Sequence, residues 1–378
     1  MDIPFRMSST VFTSLESVEI ELMILFKKGD AAVMKFWISG YSQENCPSVC
    51  LFDLDQYDSV WKTCLSNPSY LCFHGPFLFA LGEFKEYGTL TSFRFQEGAW
   101  IPVDSLRTEG GALCHITTDP SMNFLAGSCW GSGHLFTVRL HPDGTFGPVL
   151  FSEVLDDGTG RKSRMHFSKI LGQYLYAVNI ELDAIFCFHQ ENGALRPASI
   201  LQLPAGCGPR HFYADEQRQR FYCVTEYSSE LLVIDSSSPE NLRLLGRYPM
   251  LDPGFSGKST GSTLAVSRDG QDLYCANRGE DTVVHFRLSP EGTPALAGRY
   301  SCHGNCPRHI ALLDDDRFVG IANQTSDEVI LLERNRSDGA LGEVPAFRIP
   351  FASPSFLEDA AFLENCLFWK TSFKEHVF

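Results

Sequence analysis

Two stretches of this 378-residue chain carry the same tripeptide in the same setting. Residues 208–235 read GPRHFYADEQRQRFYCVTEYSSELLVID, and residues 306–334 read CPRHIALLDDDRFVGIANQTSDEVILLER. In both, Pro-Arg-His opens an apolar run that is followed by a second apolar run, a polar turn and a third. From Pro209 to Pro307 the two copies lie 98 residues apart. Self-similarity at a fixed distance indicates a repeat architecture.

The paired runs with a polar turn between them recur along the rest of the chain. Each copy can be marked where its first strand meets the turn. The seven marks are Gly40, Gly82, Cys129, Asn179, Thr225, Asn277 and Asn323. The distances between successive marks run from 42 to 52 residues. The copies of Pro-Arg-His are therefore two repeats apart.

Turn signals complete each unit. HPDG at residues 141–144 and QENG at 190–193 follow a second strand and precede a further short one, as hairpin turns do. The unit thus has four strands and no long amphipathic helix. An α/β fold would need such helices, and a β-helix would need shorter repeats. We therefore expect an all-β fold, a seven-bladed β-propeller of four-stranded antiparallel blades.

The domain boundaries follow from where the pattern starts. It begins near Met34, so residues 34–378 are expected to form the propeller, with the segment PAFRIPFASPSFLEDAAF closing the ring against the N-terminal strand. Residues 1–33 are expected to be an extension outside the core. They contain no convincing secretory signal. An upstream extension of a reading frame that starts at Met34 is the alternative.

Composition excludes several classes of function. The net charge of −15 and the absence of a basic run argue against nucleic-acid binding. No apolar run is long enough to cross a bilayer. Thirteen cysteines without framework spacing indicate free thiols in the cytoplasm. CHGNC at residues 302–306 resembles half of a metal site, but no second pair follows at zinc spacing, so we expect no metal.

Blade topology predicts where functional side chains gather. The start of the innermost strand and the turn between the second and third strands lie on one face of a four-stranded blade. The innermost starts are Ser69-Tyr70, Cys114-His115, Met165-His166, Arg210-His211, Ser262-Thr263, Arg308-His309 and Pro354-Ser355. Arginines that converge on one channel mouth indicate a small anionic ligand, because guanidinium groups pair with carboxylate or phosphate.

The turns between second and third strands add further polar groups to that mouth. They are Trp130, Glu181, Glu226, Arg278 and Gln324. A carboxylate or imidazole beside cations can act as a general base, and Arg or His donors can stabilise an oxyanion. Simpler interpretations stay open. The histidines can pack between blades, each arginine can form a surface ion pair, and Trp130 or Glu226 can be a packing or turn residue.

The motifs also resemble a known family. The two opening stretches, together with STLAVSRDGQDLYCANRGEDTVVHFRL from Ser262 and CHITTDPSMNFLAGSCWGSGHLFTVRLHPDGTFGP from Cys114, are similar to the seven-bladed propeller lactonases. That family includes propeller-type 6-phosphogluconolactonases and fungal carboxymuconate cyclases. The resemblance covers the chain from about Met34 onward. It implies a metal-free site at the channel mouth, formed by His166, Arg210, Glu226, Arg278, Arg308 and Gln324.

The chain departs from the family pattern in two places. Family members commonly carry His-x-His before the innermost strand of the fourth blade, whereas this chain has Arg164-Met165-His166. Where members often carry an acidic residue and a nearby His, this chain has Thr263 and Ala265. Both departures bear on which substrate the site accepts.

Three functions remain open on the sequence. The first is a metal-independent lactone hydrolase acting on an anionic sugar lactone, with 6-phosphogluconolactone preferred. The others are a lactonising cyclase acting on a carboxylated muconate and a non-catalytic ligand-binding propeller. For the hydrolase we assign His166, Glu226 and Arg210 to catalysis. Substrate binding is assigned to Arg278, Arg308, Gln324, His115 and Trp130. We expect no cofactor, a small anionic substrate as partner, neither nucleic acid nor membrane, a monomer or weak homodimer, and a cytoplasmic location.

Overall fold

A computed structural model describes residues 34–42 and 46–360 of the chain. The predicted extension at residues 1–33 lies outside these residues, and its boundary stays a prediction. The described part is almost entirely strand. In chain order the strands are β1 Lys35–Gly40, β2 Val49–Asp53, β3 Asp58–Thr63, β4 Leu71–His74, β5 Phe77–Glu83, β6 Gly88–Gln96, β7 Ala99–Thr108, β8 Leu113–Thr118, β9 Phe124–Cys129, β10 His134–Leu140, β11 Phe146–Val154, β12 Met165–Leu171, β13 Tyr174–Asn179, β14 Ala184–Glu191, β15 Ala194–Gln202, β16 Pro209–Asp215, β17 Arg220–Thr225, β18 Glu230–Asp235, β19 Arg243–Pro249, β20 Thr260–Val266, β21 Asp272–Arg278, β22 Thr282–Leu288, β23 Pro294–Ser301, β24 Pro307–Leu313, β25 Phe318–Asn323, β26 Glu328–Glu333, β27 Phe347–Pro350 and β28 Pro354–Asp359.

The strands form seven four-stranded antiparallel sheets, so the predicted seven-bladed propeller is confirmed. Six blades consist of consecutive strands, starting at β4, β8, β12, β16, β20 and β24. The remaining blade has the order β28-β1-β2-β3. Its innermost strand therefore comes from the C-terminal end of the chain, and its other three come from the N-terminal end. This pairing closes the ring as the sequence predicted.

The seven sequence marks all fall at the end of the second strand of a blade. Gly40, Cys129, Asn179, Thr225 and Asn323 are the last residues of β1, β9, β13, β17 and β25, and the other two marks are next to last. These second strands are buried on both faces, as in β9 and β25. The outermost strands instead alternate, as in β19, where every other side chain is exposed. The fold therefore buries the strands that read as continuous apolar runs.

The hydrophobic core is divided among the blade interfaces. Seven clusters of buried side chains each draw on two neighbouring blades. One of them joins Phe36 and Ile38 of β1 to Leu357 of β28 and Leu331 of β26. Packing across the closing interface is thus as continuous as packing between consecutive blades. Among the described residues, no helix is long and apolar enough to span a membrane.

A β-bulge shapes the start of the innermost strand in six blades. With the closing blade counted as the first, blade five consists of β16 to β19; in it Pro209 pairs with Thr225 and His211 with Val224, so Arg210 is the inserted residue. Arg308 is inserted in the same way two blades later. A bulge adds one residue and re-aims side chains at a sheet end. It lets Arg210 and His211 occupy two successive rings around the channel.

Candidate active site

The inserted residues form a ring around one mouth of the channel, which we call the mouth ring. In six blades the member is identified by strand register, and in the second blade, that of β4, by the matching sequence position. The members are Ser69, Cys114, His166, Arg210, Ser262, Arg308 and Ser355. Hydrogen bonds join neighbours, such as Ser355 Oγ donating to Ser69 O at 3.0 Å and Ser262 Oγ donating to Pro307 O at 2.7 Å. The ring therefore has one side chain from every blade.

The next residue of each innermost strand forms a second layer, which we call the septum. Its members are Tyr70, His115, Phe167, His211, Thr263, His309 and Phe356. Ring centroids of successive aromatic members lie 4.3 Å apart for His115 and Phe167, 4.9 Å for Phe167 and His211, and 4.6 Å for Tyr70 and Phe356. These contacts close the middle of the channel.

A cavity of about 650 Å³ lies on the far side of the septum from the mouth ring. All seven septum residues line it, whereas Arg210, Arg278 and Arg308 do not. Its walls carry the ammonium group of Lys169 together with the carboxylates of Glu216, Glu358 and Asp359. This cavity and the arginine cluster are thus on opposite sides of the septum. We locate the candidate site at the arginine cluster, because its positive charge suits an anionic ligand.

Arg210 and Arg278 meet on one carboxylate. Arg210 Nε donates to Glu226 Oε2 at 2.9 Å, and Arg278 Nη2 lies 3.1 Å from the same oxygen. Both guanidinium groups also donate to backbone carbonyls, Arg210 to Ser262 O and Arg278 to Gly261 O. Burial alone raises the pKa of Glu226, but the two arginines outweigh it and hold that pKa below its ordinary value. Glu226 is therefore ionised at neutral pH.

Arg308 lies in a second network that the sequence reasoning missed. Its Nη2 donates to Tyr41 Oη at 2.7 Å and lies 4.0 Å from Glu83 Oε2. The same carboxylate oxygen accepts from Tyr41 Oη at 2.7 Å and from Ser69 Oγ at 2.6 Å. Burial raises the pKa of Tyr41 far above its usual value, so the phenol keeps its proton. Tyr41 directly follows β1, and Glu83 is the last residue of β5. Both therefore lie at the turn between the second and third strands of their blades, the same place that Glu226 and Gln324 occupy in other blades.

Arg210 and Arg308 lie on one face of the ring, two blades apart, and their role as a ligand clamp stays a prediction. Neither of these arginines is unpaired. Each is paired inward with a buried or half-buried carboxylate, Glu226 or Glu83. Counting Arg278, three guanidinium groups face two carboxylates. The cluster therefore keeps one excess positive charge, which favours an anion.

His166 occupies a different position from the one that its sequence alignment predicts. Aligned by sequence, Met165-His166 matches Arg210-His211. By register, Met165 pairs with Asn179 and Phe167 with Val178, so His166 is the inserted residue and corresponds to Arg210. The histidine therefore belongs to the mouth ring rather than to the septum. Sequence spacing misses this because a bulge shifts the correspondence by one.

The imidazole of His166 is buried, and its Nδ1 has no hydrogen-bond partner among the described residues. Burial, followed by the charge of Arg210 and Arg308, lowers its pKa well below the ordinary value. His166 is therefore neutral at pH 7. Arg278 Nε is likewise buried without a partner. An unpaired ring nitrogen and an unpaired N–H donor at one mouth indicate places for ligand or water.

The other predicted residues divide between the rim and the septum. Trp130 lies at the rim, 37% exposed. Gln324 starts a single 3₁₀ turn, and its Oε1 lies 3.7 Å from Cys306 Sγ. His115 is in the septum, where its Nδ1 accepts from Ser168 N at 3.3 Å. We therefore keep Trp130 and Gln324 in the candidate site and regard His115 as part of its floor.

The CHGNC segment provides no metal site among the described residues. No group of three His, Cys, Asp or Glu side chains there has the geometry of a metal site. Cys302 Sγ donates to Gly304 O, and Cys306 lies beside Gln324. His303 and Cys306 instead have positive φ angles of 55° and 58°, so the segment makes a tight turn into β24. Metal independence stays a prediction.

Comparison with known proteins agrees with the propeller fold. A family model described as "Lactonase, 7-bladed beta-propeller" matches residues 35–357. The chain is 24% identical over 329 residues to a 6-phosphogluconolactonase of Bacillus subtilis, covering 82% of this chain and 94% of the relative. It is also 24% identical over 316 residues to a 6-phosphogluconolactonase of Formosa agariphila, covering 77% and 87%.

A solved structure is similar over nearly its whole length. The periplasmic gluconolactonase of Pseudomonas aeruginosa superposes with a TM-score of 0.80 at 25% identity, covering 87% of this chain and 99% of that one. The match spans the described blades rather than a single repeat. Two of these proteins are thus named for a phosphorylated lactone and the third for an unphosphorylated one, so the substrate must be argued from the site.

Proposed function

The chain belongs to the seven-bladed β-propeller lactonase family, and from that premise we propose that it hydrolyses an anionic sugar lactone, preferentially 6-phosphogluconolactone, at the mouth ring. The observation that carries the proposal is the meeting of Arg210 and Arg278 on Glu226 beside His166, whose Nδ1 has no hydrogen-bond partner among the described residues. Donors for an oxyanion and an acceptor for a proton are the two requirements of acyl transfer to water.

The arginines would polarise the lactone carbonyl. Arg278 Nε is a buried donor with no partner in the described structure, so a carbonyl oxygen at that point restores a hydrogen bond. Charge on this oxygen grows when water adds to the carbonyl carbon, and fixed donors stabilise that charge. Burial, together with Arg278, lowers the pKa of Arg210 to about 9, which still leaves the guanidinium protonated at pH 7.

His166 would accept the proton of the attacking water. The water oxygen bonds to the carbonyl carbon, and its proton goes to the neutral imidazole. The ring C–O bond then breaks, and the imidazolium returns the proton to the leaving alkoxide. The product is an open-chain hydroxy acid, which ionises at neutral pH. Both oxygens of Glu226 are less suited to this step, because the carboxylate has a lowered pKa and lies between two cations.

Glu226 would have the role of holding the arginines apart in a fixed geometry. Without it, two buried guanidinium groups would repel each other across the floor of the site. Glu83 and Tyr41 fix Arg308 in the same way. Rigid donors of this kind need no reorganisation as the reaction proceeds.

A panel of lactones tests the proposal. Purified protein is mixed with 6-phosphogluconolactone, gluconolactone and a muconolactone, and acid release is followed against the spontaneous rate. We expect the greatest acceleration on the phosphorylated sugar lactone, and retention of it after EDTA treatment. Formation of a lactone from a carboxylated muconate would favour the cyclase instead. Binding without turnover of any of them would favour a non-catalytic propeller.

The cellular setting is part of the same proposal. Twelve described cysteines are free, and eight of them are buried. Such thiols are typical of reducing compartments, which supports the cytoplasm, where sugar phosphates are oxidised. The neighbour from Pseudomonas aeruginosa is named as periplasmic, so the family is not confined to one compartment.

A further inference from the structure

Arg164 lies at the rim of the mouth, where this chain departs from the His-x-His pattern. Its guanidinium carbon is 4.0 Å from the ring centroid of Trp130. Its Nε is 3.6 Å from Glu181 Oε2, too far for a good hydrogen bond. The Arg164 side chain is 22% exposed. The cation therefore lies over an indole ring and is partly exposed to solvent.

The hydrogen-bonding state of Arg164 distinguishes it from the inner arginines. Arg210, Arg278 and Arg308 each donate to a protein oxygen within 3.5 Å. Among the described residues the Arg164 guanidinium donates to none, and its only charged neighbour is the ion pair with Glu181. Its planar fork of N–H donors is thus oriented but unused. A phosphate or carboxylate is the group that such a fork binds.

A line of contacts connects Arg164 to the proposed reaction centre. Glu181 Oε2 accepts from Tyr227 Oη at 2.9 Å. Tyr227 directly follows Glu226 in the turn after β17, and Arg164 directly precedes Met165 and the mouth-ring residue His166. The rim group and the inner cluster therefore border one opening from adjacent blades. In the six-membered lactone of a sugar acid that carries a phosphate on its last carbon, the carbonyl carbon and the carbon bearing the phosphate arm flank the ring oxygen, so the carbonyl and the phosphate project from the two sides of that oxygen.

From this arrangement we propose that the Arg164–Trp130 stack binds the phosphate of the substrate, while the inner arginines act on the carbonyl. The assignment rests on the proposed lactonase function and specifies which end of the substrate lies where. Arg164 then gives this chain a donor for the phosphate at the position where the family pattern has the first His. Trp130 orients the guanidinium and shields one face of it from water.

Steady-state kinetics on two substrates test the assignment. In Arg164→Ala, we expect KM for 6-phosphogluconolactone to rise about 10- to 100-fold, the effect of losing one or two charged hydrogen bonds. For gluconolactone, KM should stay unchanged, and kcat should hold for both. Arg164→Lys should recover only part of the loss, since an ammonium lacks the planar fork. The matched control is Arg107→Ala, which removes an exposed arginine stacked at 3.9 Å on Tyr87, on the outer strand β7.

The outcomes separate this inference from the proposed function. Equal KM changes for both lactones, or none for the phosphorylated one, overturn the phosphate assignment while leaving the lactonase intact. If the wild type hydrolyses neither lactone, the proposed function fails, and calorimetry with 6-phosphogluconate and gluconate still decides the phosphate site. Binding of 6-phosphogluconate that weakens in Arg164→Ala supports it. Binding that is the same in both proteins contradicts it.

Discussion

At the scale of single residues, the site combines a neutral base with fixed cations. His166 is buried beside Arg210 and Arg308, and both burial and positive charge oppose its protonation. The same cations attract an anionic substrate. An imidazole that stays neutral well below pH 6.5 remains able to accept a proton in mildly acidic conditions. This pairing of roles leads to a defined pH dependence.

We expect kcat/KM to be flat from about pH 8 to about pH 6 and to fall only at lower pH. The reason is that activity requires unprotonated His166, whose pKa in the folded protein is depressed below the ordinary histidine value near 6.5. The measurement is initial rates of lactone hydrolysis across this range, corrected for spontaneous opening. An activity midpoint at or above pH 6.5 would contradict the assignment of His166 as the base.

Removing the shared carboxylate should destabilise the fold. In Glu226→Gln, Arg210 and Arg278 lose their counter-ion inside the protein, and breaking a buried pair in this way costs about 3–5 kcal/mol. We expect somewhat less, about 2–3 kcal/mol, because the Glu226 side chain is 18% exposed. Urea unfolding measures the difference. Glu328→Gln breaks the 2.9 Å pair with Arg348, whose side chain is 51% exposed, and serves as control, with an expected loss below about 1 kcal/mol. Equal losses in the two variants would contradict the account.

Sequence reasoning located the charged groups but not their pairing. Blade topology was enough to bring Arg210, Glu226, Arg278 and Arg308 to one mouth. It did not reveal Tyr41 and Glu83, because the first two repeats match the pattern weakly and their turns were not included. Applying the same turn rule to every blade would have found both. Which oxygen meets which nitrogen depends on rotamers and bulges, and repeat spacing carries no information about these.

At the scale of elements, the bulged start of the innermost strand explains why two rings exist. One inserted residue per strand separates a polar mouth ring from an aromatic septum. The septum contains three histidines where other blades supply Tyr70, Phe167, Thr263 and Phe356. Burial lowers the pKa of His309 to about 3 and that of His115 and His211 well below the ordinary value. These imidazoles therefore act as neutral aromatic packing.

Buried neutral histidines make stability depend on pH. In the unfolded chain each histidine takes up a proton near pH 6.5, whereas in the folded protein it stays neutral. The stability present above that pH is therefore lost as the pH falls. The loss is up to about 1.4 kcal/mol per pH unit for each histidine. His211→Phe gives the septum position of blade five a phenylalanine, the residue that the preceding blade has there as Phe167. We expect its loss of stability between pH 6 and pH 5 to be shallower by up to one such contribution.

Urea unfolding at a series of pH values gives this slope. His141→Gln replaces an exposed histidine in the turn after β10 and should leave the slope as in the wild type. If His211→Phe and His141→Gln have the same slope as the wild type, the septum histidines are not neutral in the folded protein and the account of the septum is wrong.

At the scale of the whole molecule, β28 holds the two ends of the propeller together. It pairs with β1 from Phe36 to Gly40, and Leu357 packs against side chains of the first and last blades. The repeat count and the closing segment could be predicted because turn chemistry and apolar runs recur along the chain. The extent of the extension at residues 1–33 stays a prediction.

Leu357→Ala tests the closure. The side chain is fully buried, and truncating a buried leucine costs about 2–5 kcal/mol. Leu245→Ala, at a position 52% exposed on the outer strand β19, should cost well under about 1 kcal/mol. Both are measured by urea unfolding at pH 7. Equal stability of the two variants would mean that the closing strand contributes little to the fold.

The central claim is that a lactone is hydrolysed on the mouth-ring side of the septum. The most direct measurement compares kcat/KM for 6-phosphogluconolactone in the wild type, Arg210→Ala and Lys169→Ala. Both variants remove a cation from the same channel, but Lys169 lines the cavity on the far side. We predict a loss of about 100-fold or more in Arg210→Ala, as for removal of an oxyanion donor, and a nearly unchanged value in Lys169→Ala. Loss in Lys169→Ala with activity retained in Arg210→Ala would contradict the account and move the reaction to the other compartment.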